Sequence, residues 1–134
     1  CKAVEELVRN SDIICTTTPS TTPVLPDDKE LLRGKCIIAI GSYMPEMREI
    51  PDAVLDLVDN VYIELPYACE ESGDLSQPLA SGKLTKDRVK LMHEYLVSGE
   101  KEIKEGQTTY FKSVGMGLFD VCIAQKLYEV AKEK

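Results

Sequence analysis

An apolar run, Ile37, Ile38, Ala39 and Ile40, followed at once by Gly41, constrains this chain more than any other stretch. A run this short and this β-branched fits a strand buried on both faces. Gly41 then lets the backbone turn or approach a ligand closely. Ser42 and Tyr43 are the first polar side chains beyond it. In open α/β sheets ligands bind outside the carboxyl ends of the strands, so residues 41–45 stand where chemistry is expected. The competing reading is a strand ending in an ordinary turn.

The neighbouring segments predict the same architecture. Val4, Leu7 and Val8 recur at helical spacing within residues 2–9, and Asn10, Ser11 and Asp12 end that helix. Residues 12–17 read as a buried strand, leading into a loop whose Thr18, Ser20, Thr21 and Thr22 offer hydroxyls while Pro19, Pro23 and Pro26 stiffen the exit. Such a loop can bind a ribose or phosphate, or be a capped turn. Asp27 or Asp28 caps a short helix through Leu31 and Leu32, and Gly34 ends it. Two strands joined through a helix make a β-α-β unit, hence a parallel sheet with a right-handed connection.

Pro51 starts the next helix, with Ala53, Val54, Leu57 and Val58 on its apolar face. Residues 61–65 are a third strand and residues 66–74 a helix of about two turns ending at Gly73. Residues 77–83 read as a loop. Thr85 caps a helix running to Ser98, with Val89, Met92 and Leu96 on one face and Gly99 past its end. Residues 101–107 are a charged, solvated connection and residues 109–113 a short strand. A final helix over residues 116–132 carries Phe119, Cys122, Ile123, Leu127 and Val130 at helical spacing, an apolar stripe that calls for another domain or subunit. The fold class is α/β, a doubly wound parallel sheet.

At 134 residues the chain is one domain or a piece of a larger one, and its start at Cys1 points to an excised or processed segment. Sixteen basic residues against 23 acidic ones give a net charge of -7. With no basic cluster, nucleic-acid phosphate and anionic membranes are poor partners. No apolar run reaches membrane-spanning length. The five cysteines, Cys1, Cys15, Cys36, Cys69 and Cys122, never form a CxxC pair, which suits reduced thiols in the cytoplasm. Cys15, Cys36 and Cys122 read as small core residues. His93 is the only histidine, so no zinc-like ligand set can be assembled and none is expected.

Taken in order, SDIICTTTPSTTPVL, AIGSYMPEMREI, CEESGDLSQPLASGKL and TTYFKSVGMGLFDVCIAQKLYE resemble the ornithine cyclodeaminase and mu-crystallin family over essentially the whole chain. The resemblance implies the later part of a Rossmann-like NAD(P) domain over residues 1–108. Residues 109–134 would then be a strand and a helix returning to an N-terminal dimerisation and substrate domain, in a homodimer. No G-x-G-x-x-G occurs here, so the phosphate-cradling turn and the ribose ligand would lie upstream of Cys1, together with the basic residues that grip a substrate carboxylate. Residue by residue, the resemblance puts Thr17, Thr18, Pro19 and Ser20 on the nicotinamide side of the dinucleotide. Gly41 and Ser42 would form the turn beside the ring and substrate. Glu71 matches a carboxylate near the substrate pocket, or is a solvated helix end. Lys112, Ser113, Val114 and Gly115 match the strand end that closes over the cofactor, or form a strand-to-helix turn.

One departure changes the expected reaction. True cyclodeaminases carry an aspartate shortly after the glycine of this turn, where Ser42, Tyr43 and Met44 stand here. A phenol is a poor substitute for a carboxylate base at neutral pH. Losing a positioned acid-base group typically costs about 10²- to 10⁴-fold in rate. Glu46 and Glu49, three and six residues beyond Tyr43, could reach inward but read more simply as helix-start and surface carboxylates. The resemblance therefore implies first an NAD- or NADP-dependent reductase of a C=N bond in a small imino acid, with Tyr43 as proton donor. Ornithine cyclodeaminase or an amino-acid dehydrogenase comes second, and a non-catalytic nucleotide- or small-ligand-binding protein third.

Overall fold

A computed structural model describes residues 3–99 and 103–133. A parallel five-stranded sheet runs through its centre in the order β1-β2-β5-β3-β4, formed by Ile13–Thr16, Cys36–Ala39, Thr109–Lys112, Val61–Ile63 and Val89–Leu91 respectively. The helices are α1 (Val4–Arg9), α2 (Lys29–Leu32), α3 (Asp52–Leu57), α4 (Ala68–Glu71), α5 (Gly73–Ser81), α6 (Met92–Ser98) and α7 (Gly117–Lys132). The β-α-β reading and the parallel sheet are both present. Cys1, residue 2 of the expected first helix and residues 101 and 102 of the expected 101–107 connection lie outside the described residues.

Register explains which face is the core. Ile14 aligns with Ile37, Ile37 with Tyr110 and Tyr110 with Val61, all buried on one side of the sheet. The opposite face begins with Ile13, 64% exposed, and Cys15, also exposed. The 12–17 strand is thus not buried on both faces, and Cys15 is not a core residue. The reason is position: β1 lies at one end of the sheet, and the buried residues of α2 and α3 share one core cluster with Ile14 and Ile37 on the covered face. Cys36 is half-buried, and Cys122 is exposed on α7, none of whose residues is buried. β2 is deeper, with Ile37 and Ala39 fully buried. Beside it β5, the strand of the 109–134 segment, hydrogen-bonds between β2 and β3 at the centre of the sheet built by residues before it.

Two stretches differ from their expected secondary structure. The helix expected to end at Gly73 is the short α4, which ends at Glu71, and Gly73 begins α5, which runs through the expected 77–83 loop as far as Ser81. Ser72 caps it by accepting the Asp74 N–H, and burial of Leu75 and Pro78 holds a helix that a proline otherwise argues against. Between residues 85 and 98, a 3-10 turn (Lys86–Arg88) and β4 precede α6. Val89, Met92 and Leu96 mimic a helical face, but Val89 and Leu91 gain more by pairing with Val61 and Ile63. Gly34 and Gly99 end α2 and α6 with positive φ, as expected, and Asp28 caps α2 by accepting the Glu30 and Leu31 N–H groups.

Arg88 ties this region down. Its guanidinium donates to the carbonyls of Leu55 and Val58, both at 2.6 Å, and of Asp59 at 3.0 Å, closing the carboxyl end of α3. Arg88→Ala should lower stability by about 1.5–3 kcal/mol. Arg88→Lys should recover little, because an ammonium lacks the planar fork that meets several carbonyls at once. Urea unfolding of the intact protein measures both, and full recovery with lysine would refute the assignment.

Candidate active site

Since every strand runs the same way, the carboxyl ends share one edge of the sheet. Thr16, Ala39, Lys112 and Ile63 form one row across β1, β2, β5 and β3. The residues that follow them, Thr17, Ile40, Ser113 and Glu64, open the loops along this edge. Thr17, Thr18 and Pro19 are exposed there, Ser20 is half-buried, and Tyr43 projects with 54% exposure.

Glu49 organises the first two of these loops. The side chain is wholly buried, which corrects its expected surface position. Thr18 donates its backbone N–H at 2.5 Å and its hydroxyl at 2.8 Å to Oε1. The Thr16 hydroxyl and the Gly41 N–H, each at 2.8 Å, donate to Oε2. The segment around it is zipped to the preceding loop: Arg48 N–H donates to the Ser20 carbonyl and Val24 N–H to the Glu49 carbonyl, both at 2.8 Å. That pairing turns Glu49 inward. Gly41 completes the contact, since a Cβ there would overlap the Thr18 backbone and lie 2.6 Å from Glu49 Oε1. Two loops distant in sequence therefore meet backbone to backbone.

A second layer supports the first. Asp74, 1% exposed, accepts the N–H groups of Glu49 at 2.7 Å and Ile50 at 2.9 Å through Oδ1. Its Oδ2 lies 3.5 Å from Nζ of the fully buried Lys112, and neither atom completes a well-formed hydrogen bond. Burial raises the Asp74 carboxyl above its ordinary value and lowers the Lys112 ammonium, the charged form of each being disfavoured away from water. Burial also pushes the Tyr110 phenol well up. Ser42 is buried, donating to the Met47 carbonyl at 2.7 Å and lying 2.8 Å from Ser72 Oγ. With Gly73 N–H donating to the Met44 carbonyl at 3.0 Å, the 42–47 turn is fastened to the start of α5.

Ser113 belongs to a separate network. Its hydroxyl at 2.8 Å, the Val114 N–H at 2.5 Å and the Gly115 N–H at 3.0 Å all donate to Glu64 Oε1. Beyond Glu64 a cavity of about 320 Å³ is lined by Met92, Leu96, Phe111 and Phe119 among others. Glu71 is exposed at the last position of α4, and its carboxylate joins neither network.

The edge thus brings together residues 17–20 and 41–43, with Lys112 beneath them, and sets Ser113 alongside. Sequence reasoning missed Glu49, Asp74 and Glu64 as organisers. The available signal was an acid flanking a buried run: Glu64 directly follows Val61–Ile63, and Glu49 directly precedes Ile50. The paired loops offer backbone groups, hydroxyls and a side-chain-free approach at Gly41, which fits the nicotinamide end of a dinucleotide. The sequence holds no G-x-G-x-x-G, and the glycines between β5 and α7, Gly115 and Gly117, are followed by Asp120 where that pattern has its third glycine, so the phosphate cradle of such a turn is not among the described residues.

A family model described as the ornithine cyclodeaminase/mu-crystallin family matches residues 1–134. The chain is 37% identical over 136 residues to Delta(1)-pyrroline-2-carboxylate reductase of Bacillus cereus, an alignment covering 99% of this chain and 41% of that protein. It is 33% identical over 129 residues to ketimine reductase mu-crystallin of Rattus norvegicus, covering 96% and 39%. Among solved structures, the Thermococcus litoralis Delta(1)-pyrroline-2-carboxylate reductase in complex with NADH and L-proline superposes with a TM-score of 0.82. That likeness covers 99% of this chain and 42% of the other at 24% identity, and concerns the fold. The chain spans about two-fifths of the length of the curated relatives it matches.

Proposed function

The chain belongs to the ornithine cyclodeaminase/mu-crystallin family, and on that footing we propose that it forms the nicotinamide side of an NAD- or NADP-dependent reductase acting on the C=N bond of a small imino acid. The carrying observation is the edge at which the Gly41 turn packs on the Thr18 loop while the Tyr43 hydroxyl side chain stands exposed two residues on. The names of the relatives support the same chemistry, both being imine reductases. The hydride belongs to the cofactor when it is bound, and the protein supplies orientation and a proton. Thr17, Thr18, Pro19 and Ser20, with Gly41 and Ser42, orient the ring; Lys112 and Ser113 support the floor and the adjoining wall; Tyr43 gives the proton. Glu71 contributes a carboxylate at the rim.

Glu49 bears on the choice between reductase and cyclodeaminase. Its oxygens already accept from Thr16, Thr18 and Gly41, so it is not free to replace the aspartate that a cyclodeaminase uses. The test is oxidation of NADPH or NADH by the intact protein with a cyclic ketimine carboxylate, beside ornithine with NAD and ammonia detection. Cofactor oxidation with the imine is expected. Ammonia from ornithine would overturn the reading, and cofactor binding without either reaction would mean a binding protein. Tyr43→Phe should lower kcat by about 10²-fold with cofactor affinity unchanged. Unaltered turnover would remove Tyr43 from the reaction.

The same reading assigns α7 to an interface with another domain or subunit of a homodimer. Leu118, Phe119, Ile123 and Leu127 are exposed along it, a stripe too apolar for water. A monomer in sedimentation of the intact protein would remove the dimer. A cytoplasmic setting goes with the free thiols of Cys15, Cys36, Cys69 and Cys122, and a disulfide in the purified protein would argue against it. Among the described residues no helix is long and apolar enough to cross a membrane.

A further inference from the structure

We infer that Glu49 is a positioning residue that gives the nicotinamide-side loops their binding shape, an inference that rests on the cofactor reading above. Three features carry it. The side chain is fully buried, yet it lies in a connection outside every helix and strand, so it holds loops and not a core element. It spans from β1 to β2 at their carboxyl ends by accepting from Thr16, Thr18 and Gly41. And its own backbone is fixed from below, the Glu49 and Ile50 N–H groups both being held by Asp74.

The chemistry requires a carboxylate in particular. Both oxygens face donors, and on each side one donor is a backbone N–H, of Thr18 or of Gly41. A hydroxyl can rotate to accept, but a backbone N–H cannot. The amide of a glutamine has one oxygen and one NH₂, so either orientation sets the NH₂ against a backbone N–H. Loss of that contact frees the Thr18 loop first, because among the described residues the Thr18 N–H has Glu49 Oε1 as its one recorded acceptor, whereas Gly41 N–H also reaches the Thr16 carbonyl at 3.2 Å. Glu49 itself touches neither cofactor nor substrate in this scheme. Its effect passes through Thr18 and Gly41.

The experiment compares the intact protein with Glu49→Gln, Thr18→Val and the double variant. Amide hydrogen exchange is measured without cofactor, and NADH and NADPH dissociation constants by titration. In Glu49→Gln, exchange at Thr18 should rise about tenfold or more while the β3 amides keep their protection. The dissociation constant for the preferred cofactor should rise about tenfold. Because Thr18 and Glu49 act as one unit, the double variant should bind no more weakly than Glu49→Gln alone. Wild-type cofactor affinity in Glu49→Gln, a uniform loss of protection across the sheet, or strict additivity with Thr18→Val would each overturn the inference. Failure of the unaltered protein to bind either cofactor would instead defeat the functional reading, a result that the exchange measurement at Thr18 separates from the behaviour of Glu49.

Discussion

Replacing Gly41 with alanine is expected to remove cofactor binding and to destabilise the protein. Gly41 does not have a positive φ, so backbone strain is not the cause. The cause is space: a Cβ would overlap the Thr18 backbone N and O and crowd Glu49 Oε1 at 2.6 Å. Main-chain atoms fixed by β1 have no rotamer with which to withdraw, so the 17–20 loop must move as a body. Overpacking of this kind costs about 1–3 kcal/mol, sometimes more. A displacement of about 1 Å in a positioning loop can cost about 10²-fold in function. Thermal unfolding and cofactor titration of the intact protein give the two readouts. Gly82→Ala, at the end of α5, is the control: φ there is +76°, so alanine is strained, but nothing lies within 4 Å of the new methyl. If Gly41→Ala binds cofactor as tightly as the control does, the backbone contact is not what shapes the site.

Asp74→Ala should produce the largest loss of stability, about 3–5 kcal/mol, because it breaks a buried ion pair from one side. The variant strands the Lys112 ammonium, which is fully buried and 3.5 Å from Asp74 Oδ2, and leaves the Glu49 and Ile50 N–H groups without their acceptor. Lys112→Met should cost clearly less. Asp74 keeps two backbone donors in that variant, and the methionine fills much of the lysine's volume without a charge to desolvate. Urea unfolding of the intact protein measures the difference. Equal losses, or a loss below about 1 kcal/mol for Asp74→Ala, would show that Lys112 and Asp74 are not the coupled pair their geometry describes.

Much of the fold was legible because it rests on local signals. The strand at Ile37 and the cap at Asp28 are statements about neighbours in sequence, and the structure keeps both, although β2 spans Cys36–Ala39, alternates buried and half-buried residues instead of being buried on both faces, and leaves Ile40 exposed. The positive φ of Gly34 and Gly99 likewise follows from helix ends that need a residue without a Cβ. Local signals failed where pairing partners lay far away. Val89 and Leu91 look helical until β3 offers hydrogen bonds 28 positions away in register, from Val61 to Val89. Residues 77–83 read as a loop until burial of Leu75 and Pro78 holds the chain in α5 as far as Ser81.

The candidate site divides in the same way. The amino-acid sequence by itself determined a parallel α/β sheet, a glycine at the end of its second strand, hydroxyl-bearing residues at the end of its first, and a family resemblance that names a nicotinamide cofactor. Tertiary structure alone decided what holds these together. Glu49 lies 31 positions from Thr18 and Asp74 25 positions from Glu49, separations across which no periodicity or motif carries information. An acid beside Arg48 in a polar turn has the composition of a surface residue. It becomes an internal acceptor because folding withdraws water from the Thr18 and Gly41 N–H groups, and the four hydrogen bonds it accepts from Thr16, Thr18 and Gly41 together offset the desolvation of one carboxylate.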